Sequence, residues 1–318
     1  MKLSLIALFA GLAVLGAASP AHAYVRTTTQ HDDLSIPTVP VQWNIQCIVM
    51  QPDSRGSQDM PLSEVESALQ QSIDAWTTHT GTCGGLTLSM TAPKGVLEVG
   101  DDGHQAVIFR NVTWQRPGHA PYDPSAIALT TVMYVDTPGQ AGDGTLTDAD
   151  IEVNDVDYTF TTNLTGATAR DGTILVNVIN TLTHELGHVQ GLAHTCWDHI
   201  TPTAPIDNTG QPIPDCDDAD LPASIVATIM YPFYVPADPS ARPLTTDDIS
   251  GVCDVYGPLA GKLGCFLEID DNGLGGSCSV APPAAAPRGR DYSLAIAALV
   301  TLGILVLRAF RTGARARG

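Results

Sequence analysis

Basic residues are scarce in this chain. Fifteen lysines and arginines face 34 aspartates and glutamates, a formal net charge of −19 with a sequence pI near 4.5, and only three of the basic residues are lysines. A protein that neutralises phosphates needs clustered positive charge, so a nucleic acid partner is not expected. The acidity keeps the chain soluble and could favour basic peptide substrates. Charged residues of both signs make up only 15% of the 318 residues, while 44% are hydrophobic. That composition can bury a full core, and one domain with targeting segments at its ends fits the length.

Long apolar runs are confined to the two ends. Residues 1–23 read as a signal peptide, with Lys2, an apolar run over residues 3–15, and Ala21-His22-Ala23 as a small-x-small cleavage site. The mature chain then starts at Tyr24, and the protein is expected to be exported. In an oxidising compartment the seven cysteines are disulfide formers rather than metal thiolates. Setting Cys278 aside leaves six. Joining nearest neighbours in sequence selects Cys47–Cys83, Cys196–Cys216 and Cys253–Cys265 from the 15 pairings that six cysteines allow.

The most informative stretch is His184-Glu185-Leu186-Gly187-His188-Val189-Gln190-Gly191-Leu192-Ala193-His194. It reads as H-E-x-x-H-x-x-G-x-x-H. Residues four apart on a helix lie on one face, so His184 and His188 can share one metal ion, and Glu185 sits beside them without being a ligand. Were the helix to continue, His194 would lie about 15 Å from His184 along the axis, far beyond a zinc–nitrogen bond of about 2 Å. The helix must stop, and Gly191 can take the left-handed conformation that stops it. His194 then returns as the third ligand. A bare H-E-x-x-H arises by chance in roughly a few per cent of chains this long, and the added Gly and His lower that by about several hundredfold. Three histidines leave a zinc coordination position for water, whereas structural zinc sites are closed by four protein ligands.

The stretch resembles the metzincin metallopeptidases, whose pattern continues with a Met-turn. Ala227-Thr228-Ile229-Met230-Tyr231-Pro232-Phe233-Tyr234 resembles the matrixin form of that turn, which implies that Met230 lies beneath the zinc. Pro232 stands where astacins and serralysins carry a Tyr ligand, so no tyrosine switch is expected. Residues 244–257 resemble the last helix of matrixin catalytic domains, and the likeness covers roughly residues 173–257. The long matrixin propeptide with its zinc-capping Cys has no counterpart, because no Cys lies between the cleavage site and the first strand.

Along the chain, residues 24–40 look like an extended lead-in. Val41, Trp43, Ile45, Cys47 and Val49 alternate as in a half-buried strand. Ser63 and Glu66 form a capping box for a helix over residues 63–79, and strands are expected over residues 86–90, 106–114 and 127–135. Residues 145–155 alternate Ala149, Ile151 and Val153 with Asp148, Asp150, Glu152 and Asn154. By analogy with metzincins this is an edge strand along which a peptide lies extended; an edge made acidic against aggregation is equally open, and a calcium site using these carboxylates is a third reading. The active-site helix is expected to begin near Thr173, with Leu175, Ile179, Leu182, Leu186 and Val189 facing the core. His104, His119 and His199 could bind a second metal, although loop histidines are usually solvated. Thr245 with Asp248 caps the final helix, which Gly257 ends.

Residues 260–291 have the Gly, Pro and Ala content of a linker. Residues 292–310 form an apolar sorting or transmembrane segment and residues 311–318 a basic tail. Together with the Gly-Ser-Cys-Ser element at residues 276–279, they resemble the tripartite C-terminal sorting signals of myxobacterial surface proteins. The uncharged run over residues 293–307 is short of the roughly 20 residues a membrane helix needs, which suits a transient anchor. Localisation at the cell envelope or surface, or secretion after C-terminal processing, follows from this resemblance.

The expected fold is α+β and metzincin-like over residues 24–259. A mixed twisted sheet with two long helices forms an upper part, and the Met-turn and C-terminal helix form a small lower part across a cleft. The expected function is a zinc-dependent endopeptidase, with Zn2+ on His184, His188 and His194, Glu185 as general base and Ca2+ as an optional second ion. The partners are a protein or peptide substrate and, through the C-terminal segment, a membrane; a monomer is expected. A catalytically silent surface binding or adhesion module on the same fold is the alternative, although a pure binder has no need of Glu185.

Overall fold

A computed structural model describes residues 24–31, 35–170, 172–234 and 242–264. The signal peptide, most of the linker and the C-terminal segment expected from the sequence lie outside the described residues. Among the described residues no helix is long and apolar enough to cross a membrane.

Short strand β1 (Val25–Arg26) is followed by β2 (Cys47–Pro52), helix α1 (Leu62–Thr80), β3 (Thr87–Met90), β4 (Gln105–Arg110), β5 (Ala128–Tyr134), β6 (Leu146–Asn154), β7 (Tyr158–Thr161) and β8 (Ile174–Asn177). Helix α2 (Val178–Val189), short strand β9 (Leu192–Ala193), one-turn helix α3 (Ala223–Val226) and helix α4 (Thr246–Tyr256) complete the order. The chain is therefore mixed α and β. Its main sheet has the order β3-β2-β4-β6-β5, parallel except for β5, which runs antiparallel to β6.

Helix α1 covers the expected span, with Val65, Leu69, Ile73 and Trp76 buried at helical spacing. The capping box does not form. The helix starts at Leu62 after Pro61, which puts Ser63 inside the first turn and leaves no side-chain cap. Trp76 Nε1 donates to the Thr183 carbonyl at 2.8 Å and Ser72 Oγ to the Ile179 carbonyl at 3.1 Å, so α1 is bolted to α2 by hydrogen bonds as well as by apolar burial.

Two strand expectations are corrected. The alternation from Val41 to Val49 is only partly a strand, because β2 begins at Cys47. Val41 and Trp43 are buried from an irregular segment instead, with Trp43 Nε1 donating to the Val189 carbonyl at 2.7 Å at the end of α2. A loop residue docked on a helix end produces the same apolar spacing as a strand. Likewise the active-site helix begins at Val178 rather than near Thr173: residues 174–177 pair in parallel with β7, and the Asn177 side chain accepts the Asn180 amide as N-cap.

The larger correction concerns β6. It lies between β4 and β5 and is not an edge strand. Asp148, Asp150, Glu152 and Asn154 are all fully buried. Each hooks a loop that roofs the sheet face opposite α2. Asp148 accepts the amides of Asp102 and Gly103, and Asp150 those of Gly100 and Ala106. Glu152 takes Arg110, Arg116 and the Tyr122 hydroxyl, and Asn154 Nδ2 donates to the Ala126 carbonyl. Buried polar atoms need such partners. The acidic alternation is thus a row of internal fasteners; the edge strands are β3 and β5.

Of the expected disulfides, Cys196–Cys216 is present. Cys83 pairs with Cys253, not with Cys47, and Cys253 consequently does not pair with Cys265. The reason is packing: α4 lies against the C-terminal end of α1, which brings residues 170 apart in sequence to a Cα separation of 5.5 Å. Cys47 is disulfide-bonded as well, and the neighbouring Gln46 amide donates to the Gly264 carbonyl.

Candidate metal centre

Helix α2 carries His184 and His188 one turn apart, both buried. The helix ends at Gln190, and Gly191 follows with φ 84°, the left-handed conformation expected of it. A side chain at Gly191 would also sit 2.9 Å from the Val41 carbonyl oxygen. The chain turns into β9 and delivers His194 back to the helix.

The three Nε2 atoms converge, at 3.1 Å between His188 and His184, 3.2 Å between His188 and His194, and 3.3 Å between His184 and His194. Each Nδ1 faces an oxygen that can only accept: the Ile229 carbonyl at 2.6 Å for His184, the Leu192 carbonyl at 2.8 Å for His188, and Asp198 Oδ2 at 2.6 Å for His194. Those partners place the proton on every Nδ1, so three Nε2 lone pairs face one another. Burial, reinforced by the neighbouring imidazoles, holds His184 well below the ordinary histidine pKa and brings His188 down to about 3, so both rings stay neutral.

Three acceptors in mutual contact repel unless a cation lies between them. A circle through three atoms at these spacings has a radius of about 1.9 Å, so a point just outside their plane lies about 2.0–2.1 Å from all three, the zinc–imidazole bond length. The residues fit the ion that the sequence implies.

No family model matches this chain, and no curated protein is significantly similar to it.

Met230, which the resemblance places beneath the ion, is buried against Gly187 of α2. A Cβ on Gly187 would fall 2.2 Å from Met230 Sδ, so any side chain there would force Met230 to shift. Asp248 of α4 caps its own helix through Thr245 and also accepts the amides of Ile229 and Met230, at 3.1 and 3.3 Å. The carbonyl of that same Ile229 orients His184. One carboxylate therefore links the final helix to a metal-facing ring.

The lead-in is built into the centre as well. Strand β1 pairs antiparallel with β9, the Thr27 amide and Arg26 Nε both donate to the Gly191 carbonyl, and Thr27 Oγ1 donates at 3.1 Å to the Leu192 carbonyl that orients His188. Sequence reasoning left residues 24–40 without a role because isolated polar positions carry no periodicity.

Glu185 is fully buried. Burial raises its carboxyl pKa to about 8, against which a 2.6 Å hydrogen bond from Thr130 Oγ1 to Oε2 pulls it down. Oε1 has no partner. Sequence reasoning also missed Asp198, Asp248 and Thr130. Asp198 is only four residues past His194, but in an Asp-rich loop that spacing is not distinctive.

His199 does not meet His104 or His119 in a metal-sized group. It pairs with Asp215 at 2.9 Å, and Asp217 lies close by, in a solvent-facing cluster. His104 Nδ1 instead contacts Gln51.

Proposed function

We propose that this chain is an exported zinc-dependent endopeptidase of metzincin type. The observation that carries the reading is the set of three imidazoles whose Nε2 atoms converge at 3.1–3.3 Å beside a buried glutamate whose Oε1 has no partner among the described residues. His184, His188 and His194 would hold the ion. Zinc in such a site acts as a Lewis acid toward a carbonyl oxygen and brings the pKa of water to about 7. Glu185 accepts the proton of the attacking water at its free oxygen and returns it to the leaving amine.

Strand β5 supports a peptide as the substrate. The Asn154 amide donates to the Ile127 carbonyl, which sets the antiparallel alternation so that the main-chain groups of Ala128, Thr130 and Val132 point away from β6. Among the described residues no strand pairs with that side. An extended peptide adding there by main-chain hydrogen bonds would have to displace what leaves Ala128, Thr130 and Val132 at most 1% exposed. Calcium is not part of the proposal, because the β6 carboxylates on which it rested are committed to amides and guanidiniums.

The test is incubation of zinc-loaded protein with a mixed peptide library, with and without a chelator. Glu185→Ala should keep stoichiometric zinc and lose hydrolysis by at least about a hundredfold. Equal hydrolysis by the pure variant would sink the mechanism. Absence of hydrolysis by the zinc-loaded wild type would favour the silent binding module.

A further inference from the structure

Thr130 lies fully buried in the middle of β5, and its hydroxyl donates to Glu185 Oε2 at 2.6 Å. Among the described residues its only other acceptor is the main-chain oxygen of Glu185 itself, at 3.4 Å. Among the described residues no other side chain is hydrogen-bonded to the Glu185 carboxylate, and Oε1 is buried without a partner. Alternation along the strand explains why a threonine can sit here. Ala128, Thr130 and Val132 face α2, whereas Leu129 packs with Trp114 and Thr131 receives Arg116 on the opposite face.

A glutamate has three side-chain torsions, so a carboxylate in a dry site points reliably only if something holds it. We propose that Thr130 is a positioning residue for Glu185: by occupying Oε2 it fixes the carboxylate plane and leaves Oε1 as the oxygen that carries the proton. This rests on the peptidase reading above. In the reaction, Oε1 takes a proton from water as the water oxygen bonds to the carbonyl carbon. The same proton passes to the amide nitrogen as the carbon–nitrogen bond breaks. Thr130 keeps its own proton throughout.

Thr130→Val keeps the shape and removes the donor; Thr130→Ser keeps the donor. Misplacing a catalytic group by about an ångström costs up to about a hundredfold, so Thr130→Val should lower kcat by about ten- to a hundredfold with KM changed less than about twofold. Thr130→Ser should recover kcat to within about threefold of the wild type. Zinc affinity, measured by chelator competition, should be unchanged in both. A readout independent of turnover is the infrared carboxyl band of Glu185 in the metal-free protein, identified by its loss in Glu185→Gln; it should move to higher frequency in Thr130→Val and stay in place in Thr130→Ser. Wild-type kcat in Thr130→Val, or equal loss in both variants, overturns the proposal. An unmoved band in Thr130→Val overturns the pairing itself, whereas an inactive zinc-loaded wild type with the band shift intact overturns the peptidase reading instead.

Discussion

Replacing Asp198 with alanine should weaken zinc binding by about ten- to a hundredfold, the usual effect of removing a group that orients a metal-ligating histidine. The size follows from the geometry. Asp198 Oδ2 is 2.6 Å from His194 Nδ1, and both side chains are 8% exposed. Burial by itself raises the Asp198 pKa, but the interaction with His194 and the Ile200 amide outweigh it and hold the carboxyl below its ordinary value. A hydrogen bond to a charged group contributes about 1.5–3 kcal/mol, and about 1.4 kcal/mol is tenfold in affinity. His184 and His188 rest on neutral carbonyls, so His194 is the ligand most dependent on a carboxylate. Asp198→Asn keeps the volume and one acceptor oxygen and should fall between wild type and alanine. The assay is competition for zinc with a fluorescent chelator at neutral pH, run beside thermal melts of the metal-free proteins. An unchanged affinity in Asp198→Ala would refute the orienting role. An affinity loss fully matched by a lower melting temperature without metal would assign the effect to folding.

Three further perturbations probe the scaffold. Thr27→Val removes the hydroxyl on the Leu192 carbonyl, and a lost hydrogen bond of about 1 kcal/mol should weaken zinc binding by about fivefold in equilibrium dialysis; no change would separate the N-terminal segment from the site. Gly187→Ala should gain about 1 kcal/mol of helix propensity and lose about 1–3 kcal/mol by overpacking on Met230, so urea unfolding should show a net loss, and a stabilised variant would contradict the packing. Burial raises Asp148 to about 6 and Asp150 to about 8, so the folded state holds protons that an unfolded chain releases near pH 4. That stabilisation is complete below about pH 4 and lost as pH rises through about 6–8. The metal-free melting temperature should therefore fall between about pH 5 and about pH 9, and Asp150→Asn should flatten the slope; a rise with pH would reverse the argument.

Periodicity served the helices better than the strands. Helix α1 was legible because Val65, Leu69, Ile73 and Trp76 repeat over about three turns, yet its start was misplaced because Pro61 ends the preceding segment without any side-chain cap. The alternation of β6 identified a strand but not its neighbours. Asp148, Asp150 and Glu152 read as solvent-facing because a buried carboxylate is costly without partners, and those partners, residues 100–106 and Arg110, Arg116 and Tyr122, lie 30 to 50 positions away.

The candidate centre was determined by the sequence alone wherever the geometry is local. A four-residue spacing puts two imidazoles on one helical face, and a glycine six residues after the second position of the motif turns the chain so that a third can return; neither depends on distant contacts. What the tertiary structure decided is everything that aims those groups. Thr130 reaches Glu185 across 55 residues, Asp248 reaches Ile229 across 19, Thr27 reaches Leu192 across 165, and Cys83 meets Cys253 across 170. Such pairs leave no periodic trace, because each partner is an ordinary residue until packing removes water from around it and makes its single hydrogen bond the one that counts.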